Sequence, residues 1–184
     1  MLVAGLCLGS WLPGFAATPP AKAKSGDADS IIAAYLVNFL RYVEWPESVP
    51  PAGEPWRIGV VKSDVLAELL KRLTSGKIVR GRPIAIVNAD NLGGLRDCQI
   101  VLLADLPAGD ASVTKALVER PVLTVVYRGK TPVEVAAVIE LVLQNRNIRY
   151  RLNPELLAAR GLRATPGLLE NALPVAGNPV RQTQ

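Results

Sequence analysis

Two arginines one residue apart, in Ile148-Arg149-Tyr150-Arg151-Leu152, are the side chains in this sequence best placed to do chemistry, and that chemistry is anion capture. A period of two sends Ile148, Tyr150 and Leu152 to one face of a strand and Arg149 and Arg151 to the other. Two guanidinium groups held that close repel each other unless a carboxylate or phosphate lies between them. The plainer alternative is a charged strand that discourages edge-to-edge pairing. Arg82, just before Pro83, is a separate candidate for the same anion-binding role.

Other constellations fail on spacing or on residue type. Arg128-Gly129-Lys130-Thr131 carries the last three residues of a phosphate-binding loop, but Thr124 stands where that loop needs its first glycine, so the segment reads as a turn. The chain has no histidine and two cysteines, Cys7 and Cys98, which removes the usual imidazole and thiolate metal ligands and any Cys-His or Ser-His pair. The acids show no calcium-loop spacing, and no serine sits in a nucleophile elbow. No metal, cofactor or catalytic residue is therefore expected, and an enzyme is the weaker class. Cys98, in Asp97-Cys98-Gln99-Ile100-Val101-Leu102-Leu103, reads as a small buried hydrophobe, with an intermolecular disulfide as the rival reading.

The elements that must position these groups are legible from periodicity. Ile31, Ile32, Tyr35, Leu36, Phe39, Leu40 and Val43 fall on one face of a helix that is expected to run from Ile31 to the Trp45-Pro46 stop. Asp27, Asp29 and Ser30 supply acceptors and negative charge at its start. Its other face carries Asn38, Arg41 and Glu44 beside Trp45, a polar strip next to an aromatic that could equally be a solvated face.

Strands are expected at Trp56–Val61, Gly81–Val87, Gln99–Ala104, Val122–Tyr127, Val138–Leu143 and Ile148–Leu152. Helices are expected from Asp64 as N-cap through Leu73, ended by Gly76, over Ser112–Glu119, from Pro154 to Gly161 after an Asn153 cap, and from Pro166 to near Ala172. Gln144-Asn145-Arg146-Asn147 reads as the polar connection of a hairpin. The alternation gives an α/β fold: one three-layer domain, a mixed sheet of five or six strands, helices on both faces and a C-terminal hairpin.

Residues 1–17 are uncharged, apolar and end in small residues, the pattern of a secretory signal. Gly5, Gly9, Pro13 and Gly14 interrupt a run too short for the rival reading of a membrane anchor. The basic leader is missing, so the true start is expected upstream of Met1, and Cys98 would be the only thiol left after cleavage. Residues 18–26 read as a linker, 27–175 as the folded domain and 176–184 as a loose tail. The net charge of +5 is spread among acids, and export argues against nucleic acid as a partner.

The order of the segments AAYLVNFLRYVEWP, WRIGVV, LAELLKRL, GKIVRGRPIAI, CQIVLL, VLTVVY and IELVLQNRNIRYRLNPELLAARGL resembles the YfiR-like family of bacterial periplasmic proteins over Asp29 to Val175. The resemblance implies an α/β domain, acting as a homodimer, that binds the periplasmic part of a membrane-bound diguanylate cyclase and restrains cyclic di-GMP synthesis and biofilm formation. On that footing Asn38, Arg41, Glu44 and Trp45 are the candidate partner surface, since an aromatic beside polar and cationic groups is the composition of an interface hot spot. Arg149, Arg151 and Arg82 remain candidates for a small anionic ligand, the function of a sensor or carrier. Two features depart from the family: one mature cysteine where relatives have several, and Val135-Ala136-Ala137 where glycines are common.

Overall fold

A computed structural model describes residues 25–103, 120–127 and 137–174. The expected leader, most of the linker, the Ser112–Glu119 helix, the Gly129-Lys130 turn and the tail lie outside them. No helix among the described residues is long and apolar enough to cross a membrane.

The chain opens with α1 (Ser25–Tyr42) and a two-residue strand β1 (Val43–Glu44), followed by β2 (Trp56–Val61), α2 (Asp64–Thr74), β3 (Ile78–Val79) and β4 (Arg82–Ala89). After a 3-10 turn at Leu92–Leu95 come β5 (Ile100–Leu103), β6 (Leu123–Tyr127), β7 (Ile139–Gln144) and β8 (Asn147–Leu152). The chain then runs through α3 (Pro154–Ala159), β9 (Arg163–Ala164) and α4 (Pro166–Glu170). Seven strands form one mixed sheet in the order β3-β4-β2-β5-β6-β7-β8, while β1 and β9 pair separately. The β4, β2, β5, β6 and β7 strands run parallel, and the antiparallel β3 and β8 close the two edges.

The sheet is apolar on both faces, as its parallel centre requires. On one face Ile58, Ile100, Leu123 and Ile139 meet Leu36, Leu40 and Leu70 of the first two helices, with Leu157 and Leu168 from α3 and α4. On the other, Val101 and Val126 meet Leu92, Leu95 and Cys98 around the 3-10 turn. Gly59 makes that second layer possible: a Cβ there would lie 2.9 Å from both the Cys98 sulfur and Leu95.

The α/β architecture and the hairpin are those expected from the sequence, with local differences that tertiary pairing explains. The first helix begins at Ser25 and ends at Tyr42 rather than running on to the Trp-Pro pair, because Val43 and Glu44 pair with Ala164 and Arg163 and the Thr165 N–H bonds the Tyr42 carbonyl at 2.9 Å. Ile31, read as core, is 41% exposed. Ser63 rather than Asp64 is the N-cap of α2. Asn153 caps α3 through a 3.0 Å bond from the Leu156 N–H. The seventh strand is the two-residue β3, too short for any periodic signal. The hairpin connection is tighter than read: Gln144 and Asn147 are already paired, leaving Asn145 and Arg146 alone in the turn, both with positive φ.

Candidate functional site

The first helix and the hairpin strand meet over a groove of about 410 Å³ whose wall includes Asn38 and Tyr42 on one side and Arg149 and Asn171 on the other. Helical spacing puts Tyr35, Asn38 and Tyr42 on one stripe of α1, and the turn after α4 carries Asn171 up to them. The floor is aromatic. Tyr35 and Phe39 stack with centroids 5.8 Å apart, and Tyr150 meets both edge-on, at 5.7 Å from Tyr35 and 5.6 Å from Phe39.

Each ring with a hydroxyl has an acceptor, as a buried phenol requires. Tyr35 donates to the Ile148 carbonyl at 2.9 Å and Tyr150 to the Leu168 carbonyl at 2.7 Å. Burial pushes the Tyr150 phenol up to about 12. The rim is polar and cationic: an Arg149 nitrogen lies 3.5 Å from the Asn171 carbonyl, and the Asn171 amide donates to Gly167 at 2.8 Å. Asn38 and Tyr42 are exposed above it. Two surfaces read separately from the sequence, the polar strip of the first helix and the arginine strand, thus contribute to one concavity.

Residues 29–173, spanning every element from the body of α1 to the segment beyond α4, match the model of the YfiR/HmsC-like family. The chain belongs to the YfiR/HmsC-like family. No curated relative matches it.

The remaining candidates of this YfiR/HmsC-like chain are distributed elsewhere. Glu44, half-buried, lies 3.4 Å from Arg163 across the small sheet. Arg41 is exposed, and its carbonyl accepts from Arg80 at 2.9 Å. Trp45 turns its ring to Trp56, with centroids 5.2 Å apart, and its indole nitrogen is buried without a hydrogen-bond partner among the described residues. It is half-buried against the core.

Arg151 does not share the groove with Arg149. It sits opposite Glu140 in the hairpin register, and its Nε is buried without a partner among the described residues. Arg82 stands near the far edge of the sheet, where its guanidinium donates to the carbonyls of Pro51 and Glu54 at 2.6 and 2.8 Å. Those bonds brace the proline-rich loop. The three arginines read from the sequence as anion ligands therefore occupy three environments.

Sequence reasoning missed Tyr42 and Asn171. Tyr42 carried a usable signal, standing four residues beyond Asn38 on the same helix stripe. Asn171 carried none, since its role depends on where α4 docks. Arg160 was missed as well: it is 5% exposed, donates to Val122 O at 2.8 Å and Thr124 Oγ1 at 2.9 Å, and its other two nitrogens find no partner among the described residues. Burial pushes its pKa down. Cys98 is a free, buried thiol whose pKa burial pushes up to about 12. Among the described residues no group of three or more metal-ligating side chains comes together.

Proposed function

We propose that this YfiR/HmsC-like protein is a periplasmic regulator that binds the periplasmic domain of a membrane-bound diguanylate cyclase and holds the enzyme inactive, so restraining cyclic di-GMP synthesis and biofilm formation. Family membership supports the class of function. The observation that carries the location is the meeting of Asn38 and Tyr42 with Arg149 and Asn171 around an aromatic floor. Such a groove offers a partner both apolar contact and a cation, the pairing found in binding hot spots.

An inhibitor of this kind acts by binding the inactive state of its partner more tightly than the active one. The experiment is co-production of the chain with its cyclase and measurement of cyclic di-GMP. An Asn38→Ala, Arg149→Ala double variant is expected to release the cyclase while melting like the parent. Full inhibition by that folded variant would sink the proposal.

A second reading rests on Arg149 alone, whose guanidinium borders a concavity large enough for a small molecule: the groove takes an anionic ligand that tunes the regulator. A carboxylate or phosphate ligand would then raise the melting temperature of the parent and not of Arg149→Ala.

A further inference from the structure

Among the described residues, the sheet ends on one side in a strand that is almost uncovered. β3 pairs with only Arg82 and Pro83 of the eight-residue β4, and among the described residues nothing pairs with the outer side of Ile84 to Ala89. The Ala89 carbonyl accepts from Lys62 on the inner, β2 side, so strand alternation turns the N–H and C=O groups of Ile84, Ile86 and Asn88 outward. Natural sheets normally blunt such an edge with charge, proline or a covering element, because a row of open backbone groups is a template for another strand. Here the protection stops at Pro83, and Ile84, Ala85, Ile86 and Val87 are all only half-buried.

Beside this edge runs a second groove, of about 410 Å³, bounded by the last turn of α2. Ile84, Ile86 and Pro83 form its apolar part with Ile78, which is 68% exposed, and two lysines stand on its rim: Lys71, whose ammonium is paired with Glu68 at 2.7 Å, and Lys77, which has no ion pair among the described residues. At the opposite end of β4 the balance is acidic, with exposed Asp90 and Asp64 outnumbering Lys62, and Asp64 accepts from the Asn88 amide. The edge is therefore polarised, basic where β4 begins and acidic where it ends.

We propose that the outer edge of β4 is a docking edge for an extended segment of a partner protein, which adds antiparallel to β4 as a further strand, with alternate apolar side chains over Ile84 and Ile86 and carboxylates at its C-terminal end beside Lys71 and Lys77. Main-chain bonds to Ile84, Ile86 and Asn88 supply the affinity, and the charge gradient fixes the direction. This surface lies at the opposite edge of the sheet from β8 and the Arg149 groove, and the proposal is independent of the function assigned there.

The test uses the full chain and a blocked peptide, Thr-Val-Thr-Val-Thr-Asp-Asp, with a control that carries the two aspartates at its N-terminus. The first peptide should slow amide exchange at Ile84, Ile86 and Asn88 and bind several-fold more tightly than the control. Ile86→Pro removes one outward N–H, which an edge strand tolerates, and should weaken binding about tenfold, whereas Ile86→Val keeps the N–H and should bind like the parent. A Lys71→Glu, Lys77→Glu variant should reverse the preference between the two peptides, and Arg149→Ala should leave it unchanged. Should Ile86→Pro fail to fold, the exchange pattern of the parent decides. Unaltered exchange at the three amides with peptide bound overturns the proposal. So does a free protein that is a dimer with those amides already protected, since a second copy would then hold the edge.

Discussion

The Tyr150 hydroxyl donates to the Leu168 carbonyl at 2.7 Å, a bond that ties the hairpin's edge strand to α4 directly beneath the Arg149 groove. Tyr150 also meets Tyr35 and Phe39 edge-on, so one residue joins the first helix, the sheet and the last helix. Tyr150→Phe keeps the ring contacts and leaves one buried acceptor unpaired, a loss of about 1–2 kcal/mol. Thermal unfolding should show a melting temperature lower by roughly 3–6 °C. Amide exchange should rise most at α4, and an unchanged profile there would show that the bond does not hold the helix down.

Arg149 and Arg82 have opposite expected profiles although both were read from the sequence as anion ligands. Arg149 lies at the groove rim with one long contact, so Arg149→Ala should change stability by no more than about 0.5 kcal/mol and weaken cyclase binding. Arg82 braces the Pro51 and Glu54 carbonyls, so Arg82→Ala should lower stability by about 1–2 kcal/mol and leave the affinity of the folded fraction intact. Urea unfolding and a binding titration on both variants separate the two roles.

Periodicity carried the sequence reading where burial is one-sided or complete. The Leu36, Phe39 and Leu40 stripe, the continuous apolar runs of β5 and β6 and the Asn153-Pro154 cap are each set by local chemistry, and each is found. What local chemistry could not show was set by pairing at a distance. Val43 leaves the helix because Ala164 is there to pair with it, and Trp45 turns inward because Trp56 receives it. The period of two placed Arg149 and Arg151 on one face correctly, but not the reach of Arg149 toward Asn171, which depends on the docking of α4. The groove was legible as two halves, and only the fold joins them.

The hairpin turn gives a prediction from backbone geometry alone. Asn145 and Arg146 both have positive φ, 48° and 66°, the requirement of a two-residue type I′ turn. Asparagine tolerates that region and arginine pays about 1 kcal/mol for it. Arg146→Gly should raise stability by about 0.5–1 kcal/mol, read as a higher urea midpoint at unchanged slope. A fall in the midpoint would mean that the turn's backbone is not left-handed at that residue.

Cys98 links burial to alkaline stability. Its thiol is raised from 9.0 to about 12 by burial, so between those values the unfolded chain gives up a proton that the folded chain keeps. Proton loss from the unfolded state pulls the equilibrium toward unfolding. The stabilisation is complete below pH 9 and falls by about 1.4 kcal/mol for each unit above it until the folded thiol itself ionises. Tyr150, raised from 10.0 to about 12, adds a second loss that begins about one unit later. Chemical denaturation from pH 8 to pH 11 should therefore show a stability that declines with rising pH, and Cys98→Ala should lower the starting value by about 1–2 kcal/mol while flattening the early part of that slope. The same burial controls reactivity, because only a thiolate attacks a disulfide reagent. At pH 8 a chromogenic disulfide should label Cys98 only at the rate at which the protein opens, and full labelling of the native protein within seconds would show that the thiol is not enclosed by Gly59 and Leu95.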